Sequence, residues 1–221
     1  MPSAMIALNK AHYPVTALGP GRRIGLWLQG CTLACPGCVS QDTWTFTADR
    51  RLPLPLPLLM AWCRDVAQNG LDGVTLSGGE PFAQPDALLA LLQAFHDWRA
   101  ASGLNFDLLC YSGLPWLHLQ TEFAPILALL DALIPEPFHA HQPTRLIWRG
   151  SANQPLIPLS ALGEERYAPY QHREVERRPM QIVVDAEQIW GIGIPGPGDL
   201  EDLEQHCAER GVHLGDASWR G

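Results

Sequence analysis

The chain of 221 residues is 47% hydrophobic and 17% charged, which excludes a disordered polymer and allows a substantial core without disulfide or metal staples. The net charge of -8, from 15 basic and 23 acidic residues with no long Lys/Arg run, argues against a nucleic-acid partner. Met1-Pro2-Ser3-Ala4-Met5 lacks the basic, apolar and small-residue succession of an export signal, and no later segment reaches about eighteen uninterrupted apolar residues, so a cytoplasmic protein with reduced thiols and no membrane partner is expected.

In chain order, Arg23 to Gln29 is a short apolar run after the turn Gly19-Pro20-Gly21 and predicts a buried strand, so that Cys31 follows a strand end. Leu52-Pro53-Leu54-Pro55-Leu56-Pro57 predicts a stiff extended connector, because each proline lacks an amide donor and biases its predecessor away from helix. Helical patterning runs from Leu58 to Gln68 and stops at Asn69-Gly70; Gly73 to Leu76 is a second strand, leading into Ser77-Gly78-Gly79-Glu80. A helix over 85–101 ending at Gly103, a strand over 106–111, a helix over 115–130 and a short strand at Ala132-Leu133-Ile134 continue the alternation, which predicts parallel pairing with right-handed crossovers. Between Phe138 and Met180 only Arg145 to Trp148 reads as a strand; later, 181–184 and 192–194 read as strands and 200–210 as a helix capped by Gly211. Six or seven strands are too few to close an eight-stranded barrel.

The chemistry concentrates in Cys31-Thr32-Leu33-Ala34-Cys35-Pro36-Gly37-Cys38, while Cys63, Cys110 and Cys207 stand singly. Three close thiolates can hold three irons of a cubane that a structural site would close with a fourth cysteine. The remaining iron is then open to a substrate, by the logic that separates catalytic from structural zinc. Zinc is the competing occupant, with His12, Cys63 or Cys110 as fourth ligand, although none has a diagnostic spacing. Downstream, Gly78 and Gly79 would let backbone approach a ligand without a Cβ in the way, and Glu80 offers a carboxylate to an ammonium group; an ordinary strand-to-helix turn is the plain alternative.

The spacing of Cys31, Cys35 and Cys38 after the first strand, with Gly78-Gly79-Glu80 after the second, resembles the radical SAM superfamily. That resemblance implies a partial (β/α)6 TIM-like barrel and a 4Fe-4S cluster on the three cysteines. It also implies S-adenosyl-L-methionine on the open iron, and formation of a 5'-deoxyadenosyl radical. Gly19-Pro20-Gly21-Arg22, Gln29-Gly30-Cys31, Thr43-Trp44, Tyr111-Ser112-Gly113, Asp131 to Ile134 and Arg149-Gly150-Ser151-Ala152-Asn153-Gln154 extend it to the activating enzymes of glycyl radical proteins, especially those of anaerobic ribonucleotide reductases.

On this resemblance the chain is one radical SAM domain over 1–221, with the cofactor core at 19–138 and the rest of the barrel and tail at 139–221. It takes a glycine Cα hydrogen from a partner glycyl radical protein and receives its electron from a donor such as flavodoxin or ferredoxin. The residues it assigns to the cofactor are Gly37, Ser77, Gly78, Gly79, Glu80, Tyr111, Ser112, Asn153, Gly193, Ile194 and Pro195. The alternatives are a radical enzyme acting on a small molecule or nucleotide, and a non-catalytic iron-sulfur protein.

Two departures from those activases stand out: Ser40 where relatives often carry Asn, and Pro135-Glu136 where they often carry Asp-Gly, which moves a carboxylate by one position. Several residues have two readings. Ser112 suits a cofactor contact or an N-cap, Asn153 and Gln154 a cofactor contact or a loop cap, and Gly193-Ile194-Pro195 an adenine contact or a turn. Solvated side chains are the expectation for His139 and His141 and for the mixed-charge face around Arg173, Arg177 and Arg178, and a packed helix position for Cys207 beside His206.

Overall fold

A computed structural model describes residues 4–46, 53–184 and 188–220; residues 1–3 of the leader reading and Leu52 of the proline run lie outside the described residues. The chain begins with β1 (Met5–Ile6) and β2 (Leu8–Val15), a stretch with no predicted element, and continues into β3 (Arg23–Leu28), where all six residues are buried. The proline run is a connector only in part. Leu54–Pro55 forms β4, but Leu56–Val66 is already helix α1, with Pro57 in its first turn, where a missing amide costs no intrahelical bond.

β5 (Gly73–Gly78), α2 (Pro85–Ser102) and β6 (Asp107–Tyr111) match the expected alternation, and α2 ends on Gly103 in the left-handed region at φ 69°. The helix expected over 115–130 is two: α3 (Trp116–Glu122) stops at Phe123 and α4 (Ala124–Leu127) restarts, because Pro125 can sit only in a first turn. β7 (Ala132–Ile134) follows, then β8 (Ile157–Pro158), α5 (Ala161–Tyr167), β9 (Met180–Val184), β10 (Ile189–Gly193) and α6 (Asp199–Ala208).

The main sheet has six strands in the order β2-β3-β5-β6-β7-β8. β3, β5, β6 and β7 are parallel, as predicted, whereas β2 and β8 pair antiparallel at the two edges, so the sheet is mixed. β9 and β10 form a separate antiparallel hairpin rather than continuing the parallel series. The strand expected at Arg145–Trp148 is absent. Ile147 and Val175 each make one backbone bond across to Arg173 and Arg145, and Trp148 at φ 61° turns the chain away from extended pairing.

Alternating strand residues divide the interior. Leu108 and Cys110 face α1 and α2 in a core with Ile24, Leu26 and Leu92, whereas Leu109 between them faces Ile147, Trp148 and Tyr167. On that second face Ile192 of the hairpin packs with Val15, Leu18 and Trp27. The hairpin is also clipped to the edge strand: the Gln181 side-chain amide donates to Pro14 O (2.8 Å) and accepts from Thr16 N (3.1 Å), standing in for one step of sheet pairing.

At the N-terminal ends of β3 and β6, fully buried Arg23 and Asp107 form a bidentate pair (2.6 and 3.2 Å). Asp107 also accepts from Arg166 (2.9 Å) and from the Tyr167 hydroxyl, both on α5. Arg23 spends its other donors on Thr75, Pro20 O and Val74 O, so the buried cation is fully hydrogen-bonded. Among the described residues no helix is long and apolar enough to cross a membrane.

Candidate functional site

Where the parallel strands end, a cavity of about 200 Å³ opens. Cys31, Cys35, Gly37 and Cys38 line it from the loop after β3, Ser77 to Glu80 from the end of β5, and Tyr111 to Gly113 from the end of β6. Ile194 and Pro195 close another side, while Leu33, Val39, Trp44 and Phe138 make much of its wall apolar.

The cysteine loop is held at both ends by backbone. Gly30 N donates to Thr43 O (2.7 Å) and Cys31 N to Trp44 O (3.0 Å), so the segment after the third cysteine folds back to fix the first. Inside the loop Ala34 (φ 44°) and Gly37 (φ 79°) take left-handed turns, and Cys38 N donates to Cys35 O (3.1 Å). Burial pushes the Cys31 and Cys38 thiols up; amide donors from Leu33 and Ala34 oppose this at Cys31, and the Ser40 amide (3.4 Å from Sγ) and Trp44 at Cys38.

Gly78 and Gly79 line the cavity, and their lack of a Cβ also serves packing within the chain. A Cβ on Gly78 would come within 2.4 Å of Leu28 N, and one on Gly79 within 2.4 Å of Gly30 O. Their bareness therefore lets the end of β5 touch β3 and the base of the cysteine loop, an approach completed by Gly79 N to Leu28 O (2.9 Å) and Glu80 N to Gly30 O (2.8 Å). Replacing Gly79 by alanine is expected to push the loop off β5, to cost about 1–3 kcal/mol of stability and to lower iron uptake on reconstitution. Thermal unfolding and iron analysis check this, and a variant with wild-type values for both would remove the packing role.

Glu80 is buried within this contact. Its Oε1 accepts from Phe82 N (3.0 Å) and the Ser112 hydroxyl (2.9 Å), its Oε2 from Gly113 N (2.8 Å). Burial drives its carboxyl up despite these three donors, and one acceptor position on Oε2 remains for a ligand N–H. Ser112 lines the cavity but does not cap α3: its hydroxyl fastens Glu80 and accepts from Leu114 N (3.1 Å), while Trp116 N at the start of α3 is capped by Glu136 Oε1 (2.8 Å). Glu136 itself sits at φ 82°, a conformation glycine adopts freely.

Two cofactor expectations fall beside the cavity rather than on it. The Asn153 amide donates to Pro137 O (2.8 Å), and it is Gln154 that reaches the wall, bracing Gly150 N (2.9 Å) and Glu136 O (2.9 Å). Gly193 (φ 136°) packs so closely on Met180 and Pro179 that a Cβ would not fit. Tyr111 contributes its ring to the wall and spends its hydroxyl on Trp148 O (3.1 Å).

Leu33, Val39 and Phe138 were not singled out from the sequence, because apolar residues in loops carry no periodic signal. Of the mixed-charge face, Arg178 turns inward, donating to Arg149 O (2.7 Å). His139 and His141 stack at 5.3 Å and share Gln142, away from the cavity wall.

The donor set suits an iron-sulfur group better than zinc. Cys63 and Cys110 lie in the hydrophobic core and His12 beside Trp190, so none of the three candidates for a fourth ligand lines the cavity. Among the described residues no three His, Cys, Asp or Glu side chains gather around one ion; three thiolates on a cubane occupy three separate irons.

A family model described as a 4Fe-4S single cluster domain matches residues 17–157. The chain belongs to this family. Among the relatives of this single-cluster chain are anaerobic ribonucleoside-triphosphate reductase-activating proteins. That of Salmonella typhimurium is 30% identical over 148 residues, 65% of this chain and 93% of the relative. Those of Vibrio cholerae (31% over 146 residues) and Pasteurella multocida (33% over 149) each span 65% of this chain and 92% of their own length. The activase resemblance of the motifs is therefore borne out by relatives matched over nearly their whole length. A solved structure of QueE from Escherichia coli overlays with a TM-score of 0.45 at 13% identity, covering 95% of this chain and 92% of that one.

Proposed function

We propose that this chain is a radical SAM activase that reductively cleaves S-adenosyl-L-methionine and, through the resulting 5'-deoxyadenosyl radical, removes a glycine Cα hydrogen from a partner glycyl radical protein. The observation that carries this reading is the convergence of Cys31, Cys35 and Cys38 with Glu80 on one largely apolar cavity in a single-cluster family chain. A 4Fe-4S cluster with one iron free of protein ligands supplies a single electron and a chelating site when bound. Cys31, Cys35 and Cys38 would hold it, and the spare acceptor on Glu80 would take an N–H of the methionine ammonium. Ile194 and Pro195, opposite, would bound the adenosine end, with Gly37, Ser77 and Tyr111 completing the wall.

Such a radical takes hydrogen from any neighbour within reach, so selectivity rests on excluding water and fixing one target. Leu33, Val39, Trp44 and Phe138 provide that dry surround. The four parallel strands with the cavity at their C-terminal ends support reading the sheet as a partial barrel of the radical SAM type. On this reading the chain works as one domain, with 19–138 as the cofactor core, in the cytoplasm, on electrons from a flavodoxin or ferredoxin.

Anaerobically reconstituted, reduced protein is expected to convert S-adenosyl-L-methionine to methionine and 5'-deoxyadenosine, and to give a doublet radical signal when mixed with a candidate glycyl radical partner. Cleavage without any protein radical, accompanied by conversion of a small molecule, would replace the partner assignment. No cleavage by cluster-replete protein would overturn the reading altogether.

A further inference from the structure

The family match ends at residue 157, and the relatives are covered almost completely while leaving about a third of this chain unmatched. The last part of that extra length returns to the cysteine loop. The Ser218 hydroxyl donates to Val39 O (2.6 Å), and Gln41 N donates to Ser218 O (3.2 Å), so one residue of the tail grips both sides of Ser40, two positions after the third cysteine. The tail is anchored in turn to α6: Trp219 Nε1 donates to Glu204 Oε1 (2.9 Å), and the Arg220 guanidinium reaches the same oxygen (2.7 Å) and the carbonyl of Gly215 (3.0 Å).

We propose that the C-terminal tail is a strap on the exit of the cysteine loop, with Ser218 a positioning residue for the three thiols. The mechanical path is short. Ser218 fixes Val39 and Gln41; Gln41–Thr43 is a single 3-10 turn; and the carbonyls of Thr43 and Trp44, at its end, hold Gly30 N and Cys31 N. A tail residue 180 positions from the third cysteine thus bears on Cys38 through its neighbour Val39 and on Cys31 through one turn. The strap thereby braces a loop whose coiled shape includes the left-handed turn at Ala34. Shorter relatives would have to stiffen the same loop by other means.

The purpose assigned to the strap rests on the three-cysteine reading above, but its mechanical test does not, because it reads backbone amides in the full-length chain as purified anaerobically. Glu204→Ala removes the tail anchor at a residue that does not line the cavity, and Ser218→Ala removes the hydroxyl grip while leaving the carbonyl. Hydrogen exchange at the Gln41 and Cys31 amides should rise about three- to tenfold in both variants, the effect of losing one net hydrogen bond. Ser218→Thr should restore it, and iron should leave Ser218→Ala faster than wild type when a chelator is added to reconstituted protein.

If Glu204→Ala speeds exchange at Trp219 and Arg220 while Gln41 and Cys31 stay within a factor of two of wild type, the tail detaches without consequence and the strap is overturned. Tail amides that exchange freely in the wild-type chain would overturn it equally. Neither result would bear on S-adenosyl-L-methionine cleavage, and failure of cleavage with protected loop amides would remove the proposed function while leaving the strap in place.

Discussion

Replacing Cys35 by alanine is expected to abolish cleavage of S-adenosyl-L-methionine, a fall of roughly a thousandfold or more, since groups that act as one unit lose their effect together. Cys31→Ala and Cys38→Ala should do the same. The reconstituted wild type should carry about four irons and four sulfides per chain, and each of these variants far less. Cys207→Ala is the informative control, because that half-buried thiol sits on α6, away from the cavity, and its loss should leave iron content and cleavage unchanged. Cys63 and Cys110 are poorer controls. Both are fully buried in the main core, where burial holds the Cys63 thiol at about 12, so truncation there would perturb packing first. Iron content, visible absorbance and 5'-deoxyadenosine release measure the outcome. A Cys35→Ala protein with wild-type iron and activity would end the three-cysteine assignment.

Asp107→Ala should be the most destabilising single change away from the cavity, at about 3–5 kcal/mol, because it strands the buried Arg23 guanidinium without its counter-charge. Loss of the acceptors for Arg166 and the Tyr167 hydroxyl also frees α5 from the base of the sheet. Chemical denaturation checks the magnitude. Asp107→Asn keeps the shape but not the charge and should fall between alanine and wild type.

The same pair predicts an acid dependence. Burial works to raise the Asp107 carboxyl, but it is outweighed by the charge of Arg23 and by hydrogen bonds from Arg23, Tyr167 and Arg166, which leave it below the usual carboxylate range. A carboxylate whose folded value is depressed contributes its stability above the unfolded value, near about 4, and loses it as pH falls through the folded one. The wild type should therefore lose stability below about pH 4 more steeply than Asp107→Asn, and parallel acid profiles for the two would contradict the ion pair's role.

The cavity was legible where chemistry demands particular residue types at fixed spacing. The cysteine triplet and the Ser77 to Glu80 segment both lie on its wall, each after a strand that the apolar runs at 24–28 and 74–76 made visible. Legibility failed where a residue's partner is remote. Gly78 and Gly79 do lie on the cavity wall, but their close approach to the backbone of Leu28 and Gly30, some fifty residues earlier, left no signal along the chain. Ser112 read as a cap or a contact and turns out to hold Glu80; the cap of α3 comes instead from Glu136 across the chain.

The edges of the fold were hidden for a related reason. β2 is partly exposed, β8 is only two residues with a proline, and neither carries the continuous apolar run of a strand flanked on both sides. Trp148 shows the opposite failure, an apolar stretch whose left-handed backbone is imposed by packing against Tyr167 and Tyr170.

By itself the sequence determined the parallel core and the kind of chemistry, because apolar periodicity and thiol spacing are local properties that survive in one dimension. Only the tertiary structure decided the mixed edges of the sheet, the hairpin clipped to β2 through Gln181, the buried Arg23–Asp107 pair and the return of Ser218 to the cysteine loop. Each of those depends on polar groups finding partners 8 to 179 residues away once burial has made an unpaired donor or acceptor costly, and no pattern along the chain encodes which partner that is.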